Sequence, residues 1–262
     1  MSDFTTLSAI IDTELDPSGR IGRLTLEQPD KLNPLGSRCL TELAEAARWF
    51  DSTDATVVIV AGRGRAFSAG FDLREYGSTP EGMTARQQND LGRLMADAVE
   101  RMTALTIASI SGPCVGGGFV LASCCDFRMA ADDTTFVIPE VDLGIPLTWG
   151  AIPRLVRELP AAIVRDWVIT CRPFDADEAA RIGFVNRAVA LGELGEVTDE
   201  LARSLARKAP SVLRASKRQI NEALDDMATT AGAWAEVDLL GAAMADPDAR
   251  AAAEEYLAAR RR

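Results

Sequence analysis

The chain has 262 residues, a formal net charge of -11 and no histidine. The acidic balance argues against a nucleic-acid partner, since phosphate binding needs a basic surface. The missing histidine excludes Ser–His and Cys–His catalysis, histidine metal sites and a histidine general base, leaving proton chemistry near neutral pH to Asp, Glu, Lys, Tyr or Cys tuned by their surroundings.

A chain of this length can bury a full core, as one large domain or two small ones. No run approaches the ~18 apolar residues of a membrane span. Met1 to Thr6 lack the basic and apolar regions of a secretory signal. A cytoplasmic location off the membrane is therefore expected. Five cysteines without a CxxC pair read as reduced core thiols.

Ile10 to Leu15 and Arg20 to Leu26 read as a hairpin, because Asp16-Pro-Ser-Gly19 between them is turn chemistry. A two-proline loop, Glu27 to Gly36, leads to a helix starting at Ser37, with Leu40, Leu43, Ala47 and Phe50 on one face. Val57 to Ala61 is a continuous apolar strand, as in a sheet covered on both faces. It runs into a glycine-bearing turn, Gly62 to Leu73, where α/β proteins commonly carry ligand loops. That turn matches neither GxGxxG nor a P-loop. Tyr76 to Thr84 is a polar loop. An amphipathic helix follows, with Leu91, Leu94, Met95, Ala98 and Met102 at core spacing, and then a strand, Leu105 to Ile110.

That strand delivers the chain to Ser111-Gly-Pro-Cys-Val-Gly-Gly-Gly118, which opens a short apolar helix. Gly116, Gly117 and Gly118 let backbone approach a ligand closely, and the helix start turns unpaired N–H groups and a positive dipole end toward it. Such a place suits an oxygen that becomes negative during a reaction. On residues alone, a loop where only glycine fits is an equal reading. Phe127 to Ala131 and Thr135 to Ile138 are short strands, followed by Pro139-Glu140 in a loop ending at Gly144. Glu140 there is either a surface carboxylate or a partly desolvated one. Thr148 is expected to cap a helix carrying Trp149, Ile152, Leu155 and Val156. Asp175 to Glu178 forms a capping box for a helix ending near Gly183, and Phe184 to Val189 reads as an edge strand. The rest is helical, with Pro210 early in one helix, a basic cluster at Lys208, Arg214, Lys217 and Arg218, and a last helix from Pro247 to Arg262.

Together these segments resemble the crotonase, or enoyl-CoA hydratase/isomerase, superfamily over nearly the whole chain. The resemblance rests on Lys31-Leu-Asn-Pro-Leu35, Ala66-Phe-Ser-Ala-Gly-Phe-Asp-Leu73, the triple-glycine stretch with Cys125-Asp126-Phe-Arg128, Phe136-Val-Ile-Pro-Glu140, Phe184-Val-Asn186 and Ala209-Pro210 with Lys217. It implies an α/β fold. Residues 1–192 would form a spiral of ββα units, and residues 193–262 a C-terminal helical region that builds a homotrimer, often a dimer of trimers.

The resemblance also implies an acyl-CoA thioester substrate, handled through an enolate whose oxygen is held by the N–H groups of Phe71 and Gly117. CoA and the acyl group would run along Lys31, Leu32, Ala66, Ser68, Ala69, Gly70, Asp72, Leu73, Gly116, Val120 and Thr148, with Lys217 near the phosphates. No metal or redox cofactor is implied, coenzyme A being part of the substrate. Hydratases of the family use two glutamates. One aligns with Glu140, but the other falls at Val120, which is neither acid nor base. Thr148 stands where dienoyl-CoA isomerases and chlorobenzoyl-CoA dehalogenases carry an aspartate. A lone carboxylate is the pattern of the family's Δ3,Δ2-enoyl-CoA isomerases, so Glu140 is expected to be the single acid/base of a double-bond shift. Two alternatives stay open: a hydratase or other thioester lyase recruiting Asp142 or Glu75, and a non-catalytic acyl-CoA binder.

Overall fold

β1 (Ile11–Leu15) and β2 (Ile21–Leu26) form the expected antiparallel hairpin. The Asp16 carboxylate closes its turn by accepting the N–H groups of Arg20 and Ile21, each at 3.0 Å. In this computed structural model, which describes residues 10–259, the chain continues through α1 (Ser37–Asp51), β3 (Val57–Gly62), α2 (Ala85–Glu100), β4 (Leu105–Ile110), β5 (Pro113–Val115) and α3 (Gly117–Ser123). Then come β6 (Phe127–Ala131), β7 (Thr135–Val137), α4 (Ala151–Glu158), α5 (Ala161–Thr170), β8 (Phe174–Asp175), α6 (Ala176–Arg181) and β9 (Arg187–Val189). Four helices end the chain: α7 (Leu194–Ala206), α8 (Pro210–Met227), α9 (Glu236–Ala245) and α10 (Pro247–Ala259). The N-terminal Met1 to Thr6 and the terminal Arg260-Arg-Arg262 lie outside the described residues.

The larger sheet has the order β1-β2-β3-β4-β6-β9 and is parallel from β2 onward. Its central strand shows why it reads as unbroken apolar sequence. Val58 and Val60 point into the main core with α1, α2 and α3, while Val57 and Ile59 point the other way, onto Leu194, Ala202 and Leu205 of α7. β5, β7 and β8 form a second, smaller sheet. β6 and β7, adjacent in sequence, therefore belong to different sheets. β5 and β8 were not foreseen, being two or three residues long and without a period to detect.

α3 is buried along its whole length. Its Phe119 stacks on Phe184 at 4.5 Å and meets Phe136, Phe174 and Trp167 edge-on at 6.0, 5.9 and 6.2 Å. This aromatic cluster fixes the helix whose first residue is Gly117. Asp175 caps α6 by accepting the Glu178 N–H at 2.7 Å, and Pro210 is the first residue of α8, as expected. All five cysteines are free and buried. Among the described residues no helix is long and apolar enough to cross a membrane.

One helix start differs from expectation. α4 begins at Ala151, and Gly150 in the left-handed region precedes it. Thr148 is not its cap. Trp149 takes a positive φ of 64° and leaves the helix face altogether.

Candidate active site

The site is assembled from three loops. The first, around Lys31 to Leu35, is stapled to the second by the buried Asn33. Its carboxamide donates to the carbonyls of Ala66 and Arg63 at 2.9 and 3.0 Å and accepts the Gln28 N–H at 2.9 Å. Asn33 sits at φ 52°, a conformation asparagine tolerates better than most residues. Buried Ser68 adds a second tie, donating to the Asn33 carbonyl at 2.7 Å and accepting the Gly70 N–H at 3.1 Å. The Ala69 N–H donates to the Leu32 carbonyl at 2.8 Å.

These bonds press the second loop against the start of α3. Gly70 has φ 82°, and a Cβ there would lie 2.5 Å from the Val115 carbonyl oxygen and 3.3 Å from the Gly117 nitrogen. Only glycine permits that approach. The backbone next to it pairs as Leu35 N–H to Gly70 O and Asp72 N–H to Leu35 O. This leaves the N–H of Phe71 between them without an acceptor among the described residues, and the same holds for the N–H of Gly117. Two unpaired backbone donors on adjoining turns can together hold an oxygen that becomes negative during a reaction.

The third loop carries Glu140, tied back by the Ile145 N–H donating to the Glu140 carbonyl at 2.9 Å. The residue is open on its cavity side. Its Oε2 is nevertheless buried and has no hydrogen-bond partner among the described residues. Burial pushes the carboxyl up to about 7, because the charged form loses its water and gains no counter-charge. That value suits a group that must both take and return a proton near neutrality.

A cavity of about 400 Å3 collects these parts. Leu32, Ala69, Gly70, Phe71, Leu73, Gly116, Gly117, Val120, Glu140 and Thr148 all line it. Four expected site residues do not. Ala66 and Ser68 are buried behind the second loop. Asp72 pairs with Arg74 at 2.5 Å, and Lys31 is exposed at the end of a short turn. Glu75 lines the cavity, but its Oε2 accepts both the N–H and the hydroxyl of Ser37 at the start of α1, at 2.9 and 2.5 Å. Asp142 is exposed and outside the lining. Lys217 is corrected more sharply. It is buried, and its Nζ donates to Asp126 at 2.7 Å and to the Ala104 carbonyl at 2.9 Å, so it is committed to the core rather than to phosphates.

Sequence reasoning overlooked Trp149, which lines the cavity, and the wall built by Leu240, Met244 and Tyr256 of α9 and α10. A signal for Trp149 existed. Gly144, Pro146 and Gly150 around it are turn residues, but the helical spacing of Trp149, Ile152 and Leu155 outweighed them. The C-terminal wall carried no local signal. Among the described residues no cluster of three or more His, Cys, Asp or Glu could hold a metal ion.

Comparison with known proteins identifies the family. The family model for enoyl-CoA hydratase/isomerase matches residues 17–261. The chain is 31% identical to the short-chain-enoyl-CoA hydratase of Clostridium acetobutylicum, covering 94% of this chain and 95% of that one. It is 37% identical to the carnitinyl-CoA dehydratase of Salmonella arizonae, over 83% of each. Among solved structures, an enoyl-CoA hydratase subunit of Geobacillus kaustophilus superimposes with a TM-score of 0.75 at 32% identity, over 82% of each chain. The fold is the crotonase fold, and the chain belongs to the enoyl-CoA hydratase/isomerase family of enzymes acting on CoA thioesters.

Proposed function

We propose that this enzyme moves the double bond of a 3-enoyl-CoA to give the 2-trans-enoyl-CoA, with Glu140 as its single acid and base. One observation carries the reading. Of the two carboxylates that line the cavity, Glu75 is engaged by Ser37 and Glu140 keeps an oxygen with no partner among the described residues. Val120, which lines the same cavity, offers no second acid.

In the proposed reaction the Glu140 carboxylate removes a proton from C2. The electrons move into the thioester, giving a dienolate whose oxygen accepts from Phe71 N–H and Gly117 N–H, each worth ~3 kcal/mol in the transition state. Protonated Glu140 then returns the proton to C4, and the double bond settles between C2 and C3. Composition is unchanged, and Glu140 ends as it began. Val120 keeps water from C3. The CoA moiety would run past the first loop, near Lys31 and Leu32. A homotrimer or a dimer of trimers follows from the family resemblance, with Val212, Ile220 and Leu239 of α8 and α9 exposed and available for contacts between copies.

The relatives' names favour a second reading, hydration or dehydration of the thioester. It needs a second acid at C3, which Asp142 and Glu75 are badly placed to supply. The test is Glu140→Gln. Double-bond migration is expected to vanish while acyl-CoA binding survives. Unchanged turnover would sink the assignment.

A further inference from the structure

Trp149 stands at φ 64°, in the left-handed region where a bulky residue is rare. Its backbone is held from both sides. Arg154 donates to the Trp149 carbonyl at 2.8 Å, and Glu236 of α9 accepts the Gly150 N–H at 2.8 Å. Arg154 is itself fixed by Asp97 and Glu100 of α2, at 2.9 and 2.8 Å. The indole then fills a slot that only glycine leaves open. A Cβ on Gly92 of α2 would fall 1.8 Å from its Cε2, and one on Gly117 would fall 2.5 Å from its Cζ3. The ring is thus wedged between α2 and the first turn of α3, against the residue whose N–H is assigned to the thioester oxygen.

Resting on the thioester reading above, we propose that Trp149 is the specificity-determining residue of the acyl end and selects acyl groups unbranched next to the thioester carbonyl. An oxygen held at Gly117 brings the carbonyl carbon and C2 past the indole. A flat, straight chain lies along such a ring. A methyl branch at C2 needs space that the ring occupies. The ring does not yield as a surface side chain would, because its backbone is pinned and helices pack on both its edges. Leu240 and Met244 of α9, lining the same cavity, give a straight tail an apolar wall.

Calorimetric titration of the full chain with butanoyl-CoA, its isomer 2-methylpropanoyl-CoA and free CoA tests this. Both thioesters are saturated, so binding reads the pocket independently of the reaction catalysed. The wild type is expected to bind the straight isomer about tenfold more tightly than the branched one. Trp149→Ala should bring the two within about twofold, with free CoA binding unchanged. Gly92→Ala, whose methyl pushes the ring toward Gly117 and the acyl group, should instead weaken both thioesters relative to free CoA. Should Trp149→Ala fail to fold, Trp149→Phe, which leaves a smaller ring, should reduce the preference in the same direction. A wild type without preference, or Trp149 variants that keep it in full, would overturn the proposal. If neither thioester binds more tightly than free CoA, the thioester reading itself falls, and this inference with it.

Discussion

Oε1 of Glu140 lies 2.6 Å from where a Cβ on Gly116 would stand. Gly116 also has φ 49°, so Gly116→Ala meets both backbone strain and a clash with the proposed base. Turnover should fall by about 100-fold or more, as expected for a base displaced by roughly an ångström. Binding of free CoA should be little changed. Steady-state kinetics beside calorimetry separates the two effects.

The elevated Glu140 carboxyl makes two pH predictions. Activity requires the ionised form, so kcat/KM should rise with pH and level off above a midpoint near 7. Stability runs the other way. The folded-state value of about 7 exceeds the ordinary 4.5, so folding takes up a proton between those values. Stability is fully present below about 4.5 and is lost as pH rises through about 7, by about 3 kcal/mol in all. Glu140→Gln should lose this slope and be the more stable protein at pH 8. Denaturant melts across this range check both.

Asn33 holds two loops together through its carboxamide. Asn33→Ala strands the Gln28 N–H, frees two carbonyls and places alanine at a positive φ. A loss of about 2–3 kcal/mol in unfolding free energy is expected. Because the carboxamide anchors Arg63 and Ala66 of the loop that carries Ala69 and Gly70, catalysis should fall even where the fold survives.

Lys217 separates a core role from a phosphate role. Lys217→Met leaves the partly buried Asp126 carboxylate without its cation, with only Thr106 still donating to it. Stability should drop by about 1–3 kcal/mol, while the affinity for free CoA stays the same. Weaker CoA binding without loss of stability would return Lys217 to the substrate.

Much of this was legible because backbone chemistry leaves sharp marks. Glycines at 70, 116 and 117, the apolar run Val57 to Val60 and the turn at Asp16 each admit few structures. Glu140 was visible as a position, but the burial of its carboxyl comes from packing that no local pattern encodes. Lys217 misled for the opposite reason. Its neighbours on α8 are solvated, and only the tertiary approach of Asp126 and Ala104 draws it inward. Trp149 was lost to a periodicity that is real but begins two residues later, at Ala151. The wall from α9 and α10 joins residues more than a hundred positions from the glycines they face, beyond the reach of any window.

Whether Glu140 works without a second acid is decided by giving the wild-type enzyme a 3-enoyl-CoA and, separately, crotonyl-CoA, and following the absorbance of the conjugated thioester. A rapid rise is expected with the first substrate and little or no fall with the second. Rapid loss of the crotonyl-CoA signal, with water added at C3, would contradict a lone acid.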